Sequence, residues 1–336
     1  MQGGPIFLRN YKRAALALMG LSVVALYGAA IAYPSDRPER ADREWTMLPQ
    51  IAPEADLVRA EQLEDPMVVV ASVAELRQTL AAVEFELKPV RRGSARVPRL
   101  FVEGLPEDFD TRMVVENRKK AFIRTVLPLV LKANEEVRDE RRRLIAIEEQ
   151  ISSGRDISDA AQVWLENLAD KYRTSPNDFI SLLRRVDTVS PTLALAQAIE
   201  ESGWGRSRFA RHGNALYGQR AWSKGAGFVP DERAEGEKFE VRAFDSLLDS
   251  VRSYVVNLNR HHAYEDYRAA RAIMRAQETT LNGEVLAASL INYSERREAY
   301  VETLNGLIRS NRLDQFETAQ LSSEPVAVED FRVASR

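Results

Sequence analysis

Cysteine is absent from the 336 residues. Its absence excludes disulfides, thiolate metal ligands, cysteine nucleophiles and a lipidated N-terminal cysteine together. Histidine is nearly as scarce, with only His212, His261 and His262. A histidine-rich metal centre is therefore not expected, and neither a metal nor a cofactor enters the reading. The adjacent His261 and His262 are expected on different sides of a helix, as ordinary surface residues. An excess of one charge is also missing: 47 Lys and Arg face 50 Asp and Glu, for a net charge of -3. That balance argues against a dedicated nucleic-acid binder, which needs cations for phosphate. Hydrophobic residues at 45% and charged residues at 29% exclude a globally disordered chain.

Long uncharged runs are rare too, and the exception is informative. Ala14 to Tyr33 carries no charge over 20 residues and follows Arg9, Lys12 and Arg13. As a helix the run spans about 30 Å, the thickness of a bilayer core. The basic flank, residues 1–13, is expected to stay cytoplasmic, and everything after Pro34 to lie across the inner membrane in the periplasm. A cleaved signal peptide is the rival reading, because Ala30-Ile31-Ala32 has the small-x-small pattern. The run exceeds the roughly 7–15 residues of a signal core, which favours a retained transmembrane anchor over 14–33.

From Pro34 to Pro106 eight prolines punctuate Glu- and Arg-rich sequence. The expectation is a partly extended tether over 34–106, with one helix near Val73–Val83. From Thr111 onward the pattern is helical. Val114, Val115, Phe122, Ile123, Val126, Leu127, Val130 and Leu131 recur at helical spacing, with Pro128 expected to kink or split the helix. Further helices are expected after Ser158 and after Ser175-Pro176. The tail 317–336 is expected to be flexible.

The stretch most informative about chemistry runs from Ser190 to Gln219. Ser190 suits a helix cap, Pro191 the first helical position and Gly203 the residue past the end. Glu200 and Glu201 then fall in the last turn, where the helix dipole is negative and raises a carboxyl pKa. Trp204 should add shielding from water. A carboxylic acid kept protonated near neutral pH is what general acid cleavage of a glycosidic bond requires.

Leu195-Ala196-Gln197-Ala198, Glu201-Ser202-Gly203-Trp204-Gly205, Ser207-Arg208-Phe209-Ala210 and Gly213-Asn214-Ala215-Leu216-Tyr217-Gly218 follow in order. This series resembles the bacterial peptidoglycan N-acetylglucosaminidases of glycoside hydrolase family 73. Segments around Asn117–Leu127, Phe244–Tyr264 and Tyr293–Leu304 are similar to its Bax-type branch. The resemblance covers roughly Phe101 to Phe316 and suggests a glucosaminidase domain over 107–316. It implies a mainly α, lysozyme-like helical domain with a small β-hairpin lobe, acting on the β-1,4-linked glycan strands of peptidoglycan. Glu201 matches the family's general acid, and Glu200 stands where many relatives have a small apolar residue. Asn214 keeps one of two paired asparagines, while Ala215 replaces the other. Trp204, Asn214, Tyr217, Trp222 and Tyr293 are candidates to contact the sugar, with core packing the competing role for the aromatic residues.

A second carboxylate is less defined. Phe239, Val241 and Ala243 alternate with Glu240 and Arg242, as on a half-buried strand, so Glu240 should face away from the apolar side and point into a cleft. Glu232 and Glu235 compete from the same lobe, as do Asp231 and Glu237, and the substrate's own acetamido group is a third route. Ser246 to Asp249 reads as a capping box opening a helix. The sequence thus points to a peptidoglycan glucosaminidase; a non-hydrolytic glycan scaffold and a lytic transglycosylase are the alternatives. Protein partners are not legible.

Overall fold

The computed structural model describes Asp65 and residues 67–221, 223, 225–230, 238–291, 293–294, 296–326 and 331. The expected anchor and the first half of the expected tether lie outside these residues. Among the described residues no helix is long and apolar enough to cross a membrane.

The architecture is mainly helical, with small sheets at its margins. Its backbone is α3, Val115–Ser152, which at about 1.5 Å per residue is about 57 Å long. The helix continues through Pro128 instead of splitting there. Phe122, Val126, Leu127, Leu129 and Val130, on both sides of the proline, are fully buried. That packing holds the helix together across the lost backbone hydrogen bond. Helices α4 (Asp159–Tyr172) and α5 (Phe179–Arg185) follow, capped by Ser158 and Asp178.

At the centre lies α6, Pro191–Ser202, with Ser190 accepting from the Leu193 N–H at 3.1 Å. Its residues from Pro191 to Ile199 are buried on every side, as expected of a helix apolar all round. Its alanines let neighbours approach closely. It packs against α3, against α10 (Gly283–Ala288) and against α11 (Glu298–Asn311). The short α7, Arg208–Gly213, leads into a three-stranded antiparallel lobe, β4 (Arg220–Ala221), β6 (Glu240–Arg242) and β5 (Gly227–Phe228), with β6 in the middle. Ser246 caps α8, Leu247–Arg260, and accepts from the Asp249 N–H at 3.1 Å. Helix α9, Glu265–Ala276, then packs on α5 and α10.

The tether expectation is corrected for residues 67–106. This segment forms β1 (Met67–Val68), α1 (Val73–Ala82), α2 (Leu87–Arg91), β2 (Val97–Arg99) and β3 (Phe101–Val102). Val68, Leu76, Leu80, Phe85, Val97 and Phe101 are at most 1% exposed and join the core of the main body. The prolines are compatible with this order. Pro89 sits in the first turn of α2, where no N–H is needed, and Pro98 sits in an edge strand. The helix foreseen near Val73–Val83 is α1.

The flexible-tail expectation is corrected for Leu321–Pro325; residues 327–330 and 332–336 lie outside the described residues. Leu321–Pro325 forms β7, which pairs in parallel with β2 (Val97 opposite Leu321). His261 and His262 do not project to opposite sides of a helix: they stack at 4.3 Å where α8 ends.

Candidate active site

The turn after α6 is built residue by residue. Gly203 takes the left-handed conformation (φ 58°), and the Trp204 N–H donates to the Ile199 carbonyl at 3.1 Å. The Ser202 hydroxyl donates to the Ala198 carbonyl at 2.5 Å and accepts from the Gly205 N–H at 3.0 Å. Gly205 lies under the segment once expected to be a tether. A Cβ there would stand 2.8 Å from Leu105 and 2.9 Å from Phe109, closer than any side chain allows. Glycine at this position is what lets the chain turn beneath that segment.

Glu201 sits on the last turn of α6. The Tyr300 hydroxyl, from the first turn of α11, donates to its Oε1 at 2.9 Å. Its Oε2 lies against Gly218, where an added Cβ would come within 3.5 Å. Burial pushes the Glu201 carboxyl up from 4.5 to about 7; the Tyr300 hydrogen bond opposes the shift, the Glu200 charge reinforces it and Arg296 opposes it. At neutral pH a large fraction of Glu201 therefore carries a proton. Glu200, one helical step away, is bound instead by Arg296 at 2.6 Å on the surface. The two neighbouring carboxylates thus have different environments.

Behind Glu201 runs a chain of buried donors. The Tyr254 hydroxyl donates to Gln197 Oε1 at 2.6 Å, Gln197 Nε2 donates to the Tyr300 oxygen at 3.0 Å, and Tyr300 donates to Glu201. Burial keeps the hydroxyls of Tyr254 and Tyr300 protonated, so each remains a donor. Tyr264, Tyr293 and Tyr300 form a file of rings, with centroids 5.8 and 5.5 Å apart. Tyr217 stacks on Tyr254 at 3.9 Å and 7°.

The sequence-predicted residues fall in different places. Trp204, expected to shield the acid, turns its ring edge to Phe122 at 5.9 Å and lies beneath the Lys119 ammonium. Asn214 is left-handed (φ 52°) and ends α7; its amide donates to the carbonyls of Phe244 and Asp245, each at 3.1 Å. Tyr217 is buried in the core against Tyr254. Tyr293 is half-buried beside Tyr300. Trp222, Asp231, Glu232, Glu235 and Glu237 lie outside the described residues.

Glu240 is covered where an open cleft was expected. It is 7% exposed, and its carboxylate accepts from the N–H groups of Gly225 and Gly227 at 3.0 Å. The face expected to open into a cleft is covered by the β4–β5 turn, whose backbone donors satisfy the buried carboxylate.

The sequence reading gave no site role to Tyr300, Gln197 or Tyr254. A signal for Gln197 existed: it is a polar residue in an apolar helix, one turn before Glu201 and so on the same face.

A buried glutamic acid whose pKa is pushed up to about 7, backed by fixed donors on a helical body with a small β-lobe, is suited to glycosidase-type chemistry. The glucosaminidase family, described as mannosyl-glycoprotein endo-beta-N-acetylglucosaminidase, matches residues 177–313. Protein bax of Escherichia coli (strain K12) is 31% identical over 201 residues, covering 58% of this chain and 70% of that protein. The chain therefore belongs to the Bax-type glucosaminidase family. The catalytic domain of the autolysin Auto from Listeria monocytogenes is 19% identical, with a TM-score of 0.30 over 51% of this chain and 95% of that one.

Proposed function

We propose that the chain hydrolyses β-1,4 glycosidic bonds after N-acetylglucosamine in bacterial peptidoglycan, on a lysozyme-like helical body, with Glu201 as general acid. The observation that carries this reading is the pairing of burial and a single hydroxyl donor at Glu201, which leaves a proton available near pH 7. A glycosidic oxygen placed beside Oε2 receives that proton as the bond to the anomeric carbon breaks. The electron pair of the broken bond stays on the departing oxygen, and the cationic sugar that forms is attacked by water, whose released proton returns to the Glu201 carboxylate. Tyr300 then donates to the carboxylate left behind, and Gln197 and Tyr254 hold Tyr300 in place. In this reading Glu240 orders the β-lobe through its backbone contacts, and the substrate's acetamido group assists the anomeric carbon. Asn214 ties the α7 loop to the start of α8, and Tyr293, stacked on Tyr300, borders the acid. An N-terminal anchor over 14–33 would hold the domain in the periplasm, next to its polymer.

The test is product analysis. Purified residues 34–336, incubated with bacterial sacculi, should release fragments with reducing N-acetylglucosamine ends by mass spectrometry. Anhydro-muramic ends would mean a transglycosylase. Binding to sacculi without any cleavage, unchanged in Glu201→Gln, would mean a scaffold.

A further inference from the structure

A cavity of about 370 Å³ lies apart from Glu201, between α2, the first turns of α3 and the C-terminal end of α11. Lys88, Arg91, Lys119, Lys120, Arg124 and Arg312 line it, against only two acids, Glu86 and Glu116. None of the six cations forms an ion pair among the described residues. Two are held in position by neutral groups. Arg91 donates to the Asn311 carbonyl at 3.0 Å and lies over Phe316; Arg124 donates to the Leu80 carbonyl at 2.9 Å and lies over Phe85. The Nε atoms of both are buried without a partner. Gathering like charges is unfavourable unless an anion completes the set, and fixed guanidinium groups suit carboxylates.

The cavity is connected to the acid by two elements. Lys119 sits 5.1 Å from the Trp204 ring, three residues past Glu201. Helix α11 carries Tyr300 at Glu201 and Asn311 at the cavity, eleven residues on, or about 16 Å along the axis. An extended peptide of four to five residues spans about 13–18 Å.

We propose that this cavity binds the carboxylates of the acidic peptide branches carried by the glycan strand, while the strand itself lies at Glu201. This rests on the peptidoglycan reading above and adds a peptide subsite to it. The subsite would favour strands that still bear their peptides and would fix the register of cleavage along the glycan.

The experiment is calorimetric titration of the purified 34–336 chain with a synthetic L-alanyl-γ-D-glutamyl-diaminopimelate peptide, and with the same peptide amidated at its carboxyls. The free acid should bind, and more weakly as salt rises. The amidated peptide should bind at least tenfold more weakly. Lys120→Gln/Arg312→Gln changes two exposed side chains, so folding is not at stake, and should also weaken binding at least tenfold. Equal binding of both peptides, an unaffected double variant, or no binding at all would overturn the proposal. So would binding of phosphatidylglycerol vesicles in place of the peptide, which would make the cavity a lipid contact. Because binding is read without catalysis, a chain that binds the peptide but leaves sacculi uncut would refute the hydrolase reading and leave the subsite standing.

Discussion

Glu201→Gln should inactivate the protein and, at alkaline pH, make it more stable. The carboxyl titrates near 7 in the fold against an ordinary value of 4.5. Below 4.5 both folded and unfolded chains hold the proton, and the residue carries no linkage cost. Between those values the folded chain binds more protons than the unfolded one, so stability falls as pH rises. Above 7 both states are ionised and the full cost is present. A difference of about 2.5 pK units corresponds to about 3 kcal/mol. Glutamine has the same shape, still accepts from Tyr300, and does not ionise. Comparing melting temperatures of both proteins at about pH 4 and about pH 8 cancels any packing difference. The gain of the variant at the higher pH should exceed its gain at the lower by roughly 6–12 °C for a domain of this size. Hydrolysis should fall roughly 10²–10⁴-fold, the usual contribution of general acid catalysis. An equal stability difference at both pH values would refute the argument, because Glu201 would then not be titrating in a buried site.

Tyr300→Phe removes the hydrogen bond that opposes the shift at Glu201, so the alkaline limb of the kcat/KM profile should move upward from about 7. It also strands Gln197 Nε2, at a cost of about 1–3 kcal/mol readable by urea unfolding. A chain starting at Phe101 loses β1, α1, α2 and β2, and with them the buried Val68, Leu76, Leu80 and Phe85. It should show a non-cooperative thermal transition by circular dichroism; a sharp transition near that of the 34–336 chain would contradict the core assignment. Glu240→Gln should raise KM several-fold with little loss in kcat, because it loosens the lobe. A fall in kcat of about 10² or more would instead make Glu240 the second catalytic carboxylate. Glu200→Gln should keep most activity on sacculi, since Glu200 faces Arg296 and not the pocket of Glu201.

The sequence alone determined the local signals. Ser190, Pro191 and Gly203 bound α6, Ser158 and Ser246 open their helices, and the spacing of apolar residues marks α3, because caps and periodicity act within a few residues. The same locality placed Glu200 and Glu201 in the last turn, and the resemblance of the Glu-Ser-Gly-Trp-Gly motif, rather than the spacing, singled out Glu201. The tertiary structure decided what distant segments do to one another. Residues 67–106 looked like a tether because their apolar patches are each too short to announce an element. They are buried only when α3, β7 and the turn at Gly205 supply the other side. The burial of Glu240 depended on backbone donors from a loop more than ten residues earlier, which strand alternation does not report. Tyr300, ninety-nine residues beyond Glu201, reaches the acid only because α11 packs on α6. Burial supplies most of the shift at Glu201, and burial belongs to the assembled core rather than to any stretch of the chain.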